Sequence, residues 1–96
     1  MSEKARKSFE IKYNEEAVKE AKTRLLLKEI EQVFDRYHWK DDIEKGLKEI
    51  GFYKWFEDRD DQLWGLKKEP QNILIFISWI DCEAWIYFRI KKQNLR

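Results

Sequence analysis

The chain is short of the residues that most often carry chemistry. Its 96 residues include one cysteine, one histidine, one proline and three glycines. Cys82 alone cannot close an intramolecular disulfide, which fits a reducing, cytoplasmic setting. One cysteine and one histidine, His38, also cannot supply the nitrogen and sulfur ligands of a zinc site, so no metal is expected. No nucleotide-binding loop or catalytic motif stands out, and neither a cofactor nor an enzymatic activity is expected. No apolar run reaches the length of a membrane span. The segment from Met1 to Lys7 lacks the apolar stretch of a signal peptide, so no membrane partner is expected. An excess of one charge is missing too: 20 basic against 19 acidic residues leave a net charge of +1. That balance argues against a protein dedicated to coating DNA.

What is present is apolar and aromatic material, 43% and 16% of the chain, enough for one domain with a real core. The most hydrophobic part is a pair of runs, Ile73 to Ile80 and Ala84 to Ile90, joined by Asp81-Cys82-Glu83. Both are rich in β-branched and aromatic residues and too short for independent helices, so they read as a β-hairpin. A connection of two or four residues places Ile73, Ile75, Ile77 and Trp79 on one face with Ala84, Ile86, Phe88 and Ile90. A one-residue slip exchanges whole faces, so the purer apolar set decides the register and marks the core. The opposite face carries Phe76, Trp85 and Tyr87 beside Arg89. It is too apolar for an ordinary solvated sheet face, and either protein covers it or a ligand uses it.

Upstream, Phe9, Ile11 and Tyr13 alternate with polar residues as in a half-buried strand. Asn14 then reads as the N-cap of a helix running to about Arg36, with Glu15 and Glu16 in its first turn. Its apolar stripe would comprise Val18, Ala21, Leu25, Leu26, Ile30, Val33, Phe34 and Tyr37. After a bend at Tyr37-His38-Trp39-Lys40, Asp41 and Glu44 match a capping box that opens a second helix, and Gly51 stops it. Phe52 to Phe56 and Gln62 to Lys67 read as strands around an acidic turn, and Pro70 marks the last turn before the hairpin. The order β-α-α-β-β-β-β predicts an α+β domain, with two helices packed on one face of a mostly antiparallel four- to five-stranded sheet. The first strand must cross over the helices to a sheet edge or pair with another chain. Residues 1–7 read as a flexible basic N-terminus, 8–92 as the single domain and 93–96 as a C-terminal tail.

Few constellations invite chemistry. His38 sits at a helix end, where an imidazole commonly packs or caps. Cys82 stands between two acidic residues, which disfavour a reactive thiolate. The acidic run Glu57, Asp58, Asp60 and Asp61 lacks the spacing of a calcium loop; it reads as a solvated turn or as an acidic patch for a basic partner. Basic residues gather at both ends: Lys4, Arg6 and Lys7, then Arg89, Lys91, Lys92 and Arg96. If the first and last strands are neighbours, these form one patch beside Trp85 and Tyr87.

Two function classes fit these residues. A small non-enzymatic binding or regulatory protein acting through protein–protein contacts needs an apolar-aromatic patch, charged rims and a rigid domain, and all three are expected here. Inhibitors encoded by viruses and mobile elements are small proteins of this kind that often carry no catalytic signature. Its binding residues would be Phe76, Trp85, Tyr87, Arg89 and Lys91, and its partner another protein, including a second copy of itself in a homodimer. The alternative is single-stranded nucleic-acid binding through the same basic-aromatic face.

Overall fold

The structure, a computed structural model, describes residues 5–91. The C-terminal hairpin forms as the alternation requires. Strands β4 (Ile73–Ile80) and β5 (Glu83–Ile90) pair antiparallel with Ile77 opposite Ile86. The turn is Asp81-Cys82, and both residues have positive φ, 51° and 65°. Two residues in the left-handed region match the right-handed twist of the strands, as in a type I′ hairpin. The side chains expected on the core face, from Ile73 to Trp79 and from Ala84 to Phe88, are buried.

Strands β2 (Phe52–Asp58) and β3 (Asp61–Leu66) extend the meander, and β1 (Ser8–Tyr13) completes a five-stranded sheet in the order β1-β5-β4-β3-β2. β1 lies parallel to β5, with Ser8 opposite Glu83 and Tyr13 opposite Phe88. It therefore lies at the far edge from β2, its next strand in sequence. The intervening chain has to traverse four inter-strand steps, about 19 Å at ~4.8 Å each. Helices α1 (Ala21–Arg36) and α2 (Lys40–Ile50) make that crossing and cover one face of the sheet. Their side chains Leu27, Ile30, Phe34, Ile43 and Leu47 share one core with Phe52, Trp64, Ile75, Ile77, Trp79, Ile86 and Phe88.

The helices differ from expectation in three places. A 3-10 turn (Glu15–Val18) precedes α1, and Asn14 makes no side-chain cap. Its amide instead clasps the backbone of Ile90: Nδ2 donates to the carbonyl at 3.0 Å, and Oδ1 accepts from the N–H at 3.1 Å. The break resets the helical phase. Thr23 and Leu27 face the core, while Leu25 is 63% exposed and Ala21 is also outside. The capping box does not form either; Trp39 is the N-cap residue of α2, and the Glu44 carboxylate accepts from Lys54 and Gln62 instead. Gly51 does end α2, at φ 123°, with its N–H bonded to Leu47 and Lys48 carbonyls.

Residues 5–7, expected to be part of a flexible segment, are tied down. Arg6 is buried, and its guanidinium donates to the carbonyls of Phe34 and Tyr37, at the C-terminal end of α1. A cation there satisfies orphan carbonyls and complements the helix dipole. The group also lies 5.0 Å from the centroid of the Phe9 ring. His38 joins this anchor: its carbonyl accepts the Arg6 N–H, and its Nδ1 lies 3.0 Å from the Arg6 carbonyl. Lys4, Lys92 and Arg96, with the whole segment 93–96, lie outside the described residues. Among the described residues no helix is long and apolar enough to cross a membrane.

Candidate functional site

The helices cover one face of the sheet, and no described element covers the other. Register assigns its residues. One row runs across all five strands: Lys12 beside Tyr87, Tyr87 beside Phe76, Phe76 beside Leu63 and Leu63 beside Phe56. On one side of it lies the row Glu10, Trp85, Ser78, Asp61 and Asp58; on the other lies the row Arg89, Leu74, Gly65 and Tyr53. Directly opposed side chains sit ~4.5–5.5 Å apart at Cβ, so each row is continuous. Phe76, Trp85, Tyr87 and Arg89, predicted from the hairpin alone, do share this face.

Half of the face was not foreseen. β2 contributes Tyr53, Trp55 and Phe56, all exposed. The register shifts between Lys54 and Phe56, which places Phe56 on the same side as Tyr53. Such a bulge adds one residue to a strand and re-aims the side chains beyond it. Trp55, at the bulge, lies over Gly65; a Cβ built on that glycine would stand 2.9 Å from the indole Cε2. Only glycine permits this approach. Trp55 also stacks on Tyr53 with ring centroids 5.8 Å apart.

Six aromatic rings on this surface are therefore 37–55% exposed. Rings of this size present ~150–250 Å² each, so together they leave roughly 500 Å² of apolar surface in water. Glu10, Lys12, Phe76, Ser78, Trp85 and Tyr87 line a depression of about 170 Å³ between β1 and the hairpin.

The charged groups do not assemble as the sequence suggested. Parallel pairing of β1 with β5 sets Lys7 beside Cys82, at the opposite end of β5 from Arg89. Seven residues of strand separate them by about 23 Å, so the basic ends form no single patch. Arg6 is buried on the helical side. Lys91 lies past the end of β5 and lines a different depression with Glu16, Lys19, Glu69 and Asn72.

The acidic run is divided as well. Its turn contains only Arg59 and Asp60; Glu57 and Asp58 belong to β2, and Asp61 to β3. Glu57 faces the helices, where it accepts from Lys54 at 2.6 Å and from Lys40 at 3.0 Å. Gln62, fully buried, donates to Glu44 and Glu57 and accepts from Trp64 Nε1–H at 2.9 Å. Every polar atom of that amide is thereby satisfied. The hydrogen bond from Lys54, reinforced by Gln62 and Lys40, outweighs desolvation and lowers the Glu57 pKa to about 2. Burial opposes the charge on Lys54, but its bonds to Glu57 and Glu44 prevail and its pKa is raised. Asp61 and Asp58 point to the outer face, where Asp61 accepts from Ser78 Oγ at 2.8 Å. Among the described residues no group of three or more histidine, cysteine, aspartate or glutamate side chains could hold a metal ion.

Comparison with family models, with curated proteins and with solved structures finds no match for the chain.

Proposed function

We propose that the chain is a small non-enzymatic binding and regulatory protein whose outer sheet face is a protein–protein contact surface. The observation that carries this reading is the uncovered aromatic row Tyr87–Phe76–Leu63–Phe56, flanked by Trp85, Tyr53 and Trp55. An apolar patch of roughly 500 Å² stands at the upper end of what monomers expose, and patches of that size commonly mark interaction sites. Tyrosine, tryptophan and arginine are the residue types that dominate binding hot spots. The rings are carried on hydrogen-bonded strands, so little entropy is lost in ordering them on contact.

Stacking of single-stranded nucleic acid on the same rings is the alternative. It is disfavoured by charge: Arg89 and Lys12 are the basic groups of the three rows, Lys12 lies 3.8 Å from Glu10, and Asp58 and Asp61 share the face. A backbone-tracking groove needs a positive surround.

The test is affinity capture from source-cell extract with wild type and Phe76→Asp in parallel, then reconstitution with the purified partner. Binding at least tenfold weaker for Phe76→Asp is expected. Equal binding by both proteins refutes the assignment, and tight, salt-sensitive binding of oligo(dT) by the wild type would favour the alternative.

A further inference from the structure

We propose that the outer face is occupied by a second copy of this chain, packed face to face about a two-fold axis that runs across the strands. This rests on the reading of that face as a protein contact surface, and goes on to name the occupant and its orientation.

The argument begins with area. About 500 Å² of exposed ring surface, together with its polar rim, approaches the ~800 Å² per partner of a standard interface. Both partners would supply the same surface, as a two-fold interface requires. Two twisted sheets stack with their strand directions within about 30°, their inner side chains filling a layer ~10 Å thick.

Charge then selects the orientation. The row holding Glu10, Asp61 and Asp58 is acidic, with Glu83 further out on the same side. Across the aromatic row, Arg89 is the charged group. A two-fold axis parallel to the strands and over the central β4 would set acidic row against acidic row, with Glu10 of one copy against Asp58 of the other, and would leave Arg89 over Gly65 with no acidic partner. An axis parallel to the rows reverses the second copy, so that its Arg89 meets Glu10 and the Trp85 ring of the first, and the reverse contact forms by symmetry. The central rings then pack on their own counterparts, and Lys12 at the edge of that row meets its counterpart as well, each offset by the Glu10 carboxylate 3.8 Å away in its own copy. Like charges brought face to face are costly, and complementary rims fix register, so the second arrangement is favoured.

Within one chain Glu10 and Arg89 are independent. Glu10 lies beside Trp85, four residues from Arg89 on β5, about 13 Å away. At that distance substitutions ordinarily add. Coupling between them therefore reports a contact between copies.

The experiment is sedimentation equilibrium from 1 to 500 µM on wild type, Glu10→Arg, Arg89→Glu, the double variant Glu10→Arg/Arg89→Glu, and Phe76→Asp. Thermal unfolding confirms that each is folded. All three positions are exposed on the sheet surface, so the fold should tolerate them. The expected result is a wild-type dimer and roughly tenfold weaker association for each single charge reversal, because symmetry repeats the contact twice. The double variant should regain association to within about threefold of wild type, and Phe76→Asp should be monomeric. A monomeric wild type at 500 µM overturns the second-copy proposal while leaving the capture experiment to decide the contact-surface reading. Dimers indifferent to Phe76→Asp assemble elsewhere and also overturn it. Single reversals that leave association unchanged, or a double variant no better than either, refute the orientation.

Discussion

Gly65→Ala should loosen the tryptophan that roofs part of the exposed face. The added methyl would stand within 3 Å of the Trp55 ring and 3.2 Å from the Pro70 carbonyl, so the indole has to leave its place. Trp55 is 43% exposed, which leaves just over half of its surface sheltered. For a ring of ~250 Å², burial at ~25 cal/mol per Å² sets a ceiling of about 3.5 kcal/mol. The displaced ring keeps part of that contact through Tyr53, so about half is forfeited. Alanine returns ~0.4–1 kcal/mol by restricting the unfolded chain. The net loss is about 1 kcal/mol, equivalent to a fall in Tm of about 4–8 °C for a domain of this size. Thermal unfolding measures it, and the Trp55 indole N–H resonance in a nitrogen-proton correlation spectrum shows whether the ring has moved. In a Trp55→Ala background the same glycine substitution should be nearly neutral. An equal cost in both backgrounds would refute the reasoning, because the Pro70 backbone and not the indole would then reserve the space.

Glu57→Gln should lower stability by about 1 kcal/mol at pH 7, a figure kept small because a partly exposed carboxylate is screened. The depressed pKa of Glu57, about 2 against 4.5, makes its contribution complete above pH 4.5 and lost as pH falls toward 2. Melting curves of the two proteins should accordingly converge over that interval; a constant offset would show that the charge is not the source. Gln62→Leu should cost about 2 kcal/mol in urea unfolding, because it leaves the Trp64 N–H buried without an acceptor. A loss under about 0.5 kcal/mol would mean that the amide is not what satisfies the indole.

The hairpin was legible because its two runs alternate strongly and only one register buries a purely apolar set. Its two-residue turn was less so, since Asp81-Cys82 lacks the asparagine-glycine signature of positive φ. The aromatic contribution of β2 escaped for a definite reason. Tyr53-Lys54-Trp55-Phe56 follows no simple alternation, and the bulge that turns Phe56 outward is a tertiary feature. Gly65 was the available clue, because a glycine inside a strand commonly reserves room for a neighbour. Leu25-Leu26-Leu27 offered three apolar neighbours, and composition alone could not say which the core would take. The grouping of basic residues failed on direction: its condition, adjacency of the first and last strands, is met, but their parallel sense keeps the two charge clusters apart.

The pairing of β1 with β5 joins Ser8 to Glu83, 75 positions later in the chain. Strands β2 to β5 pair with sequence neighbours and can zip successively, whereas β1 has to close a loop spanning nearly the whole domain. During synthesis it leaves the ribosome first and finds its partner last. Asn14 holding Ile90 and Arg6 holding the end of α1 then act as latches on a closure made once the rest is built. A nascent chain stopped before Glu83 would keep its first strand without a docking edge, so the sheet closes only after β5 has emerged.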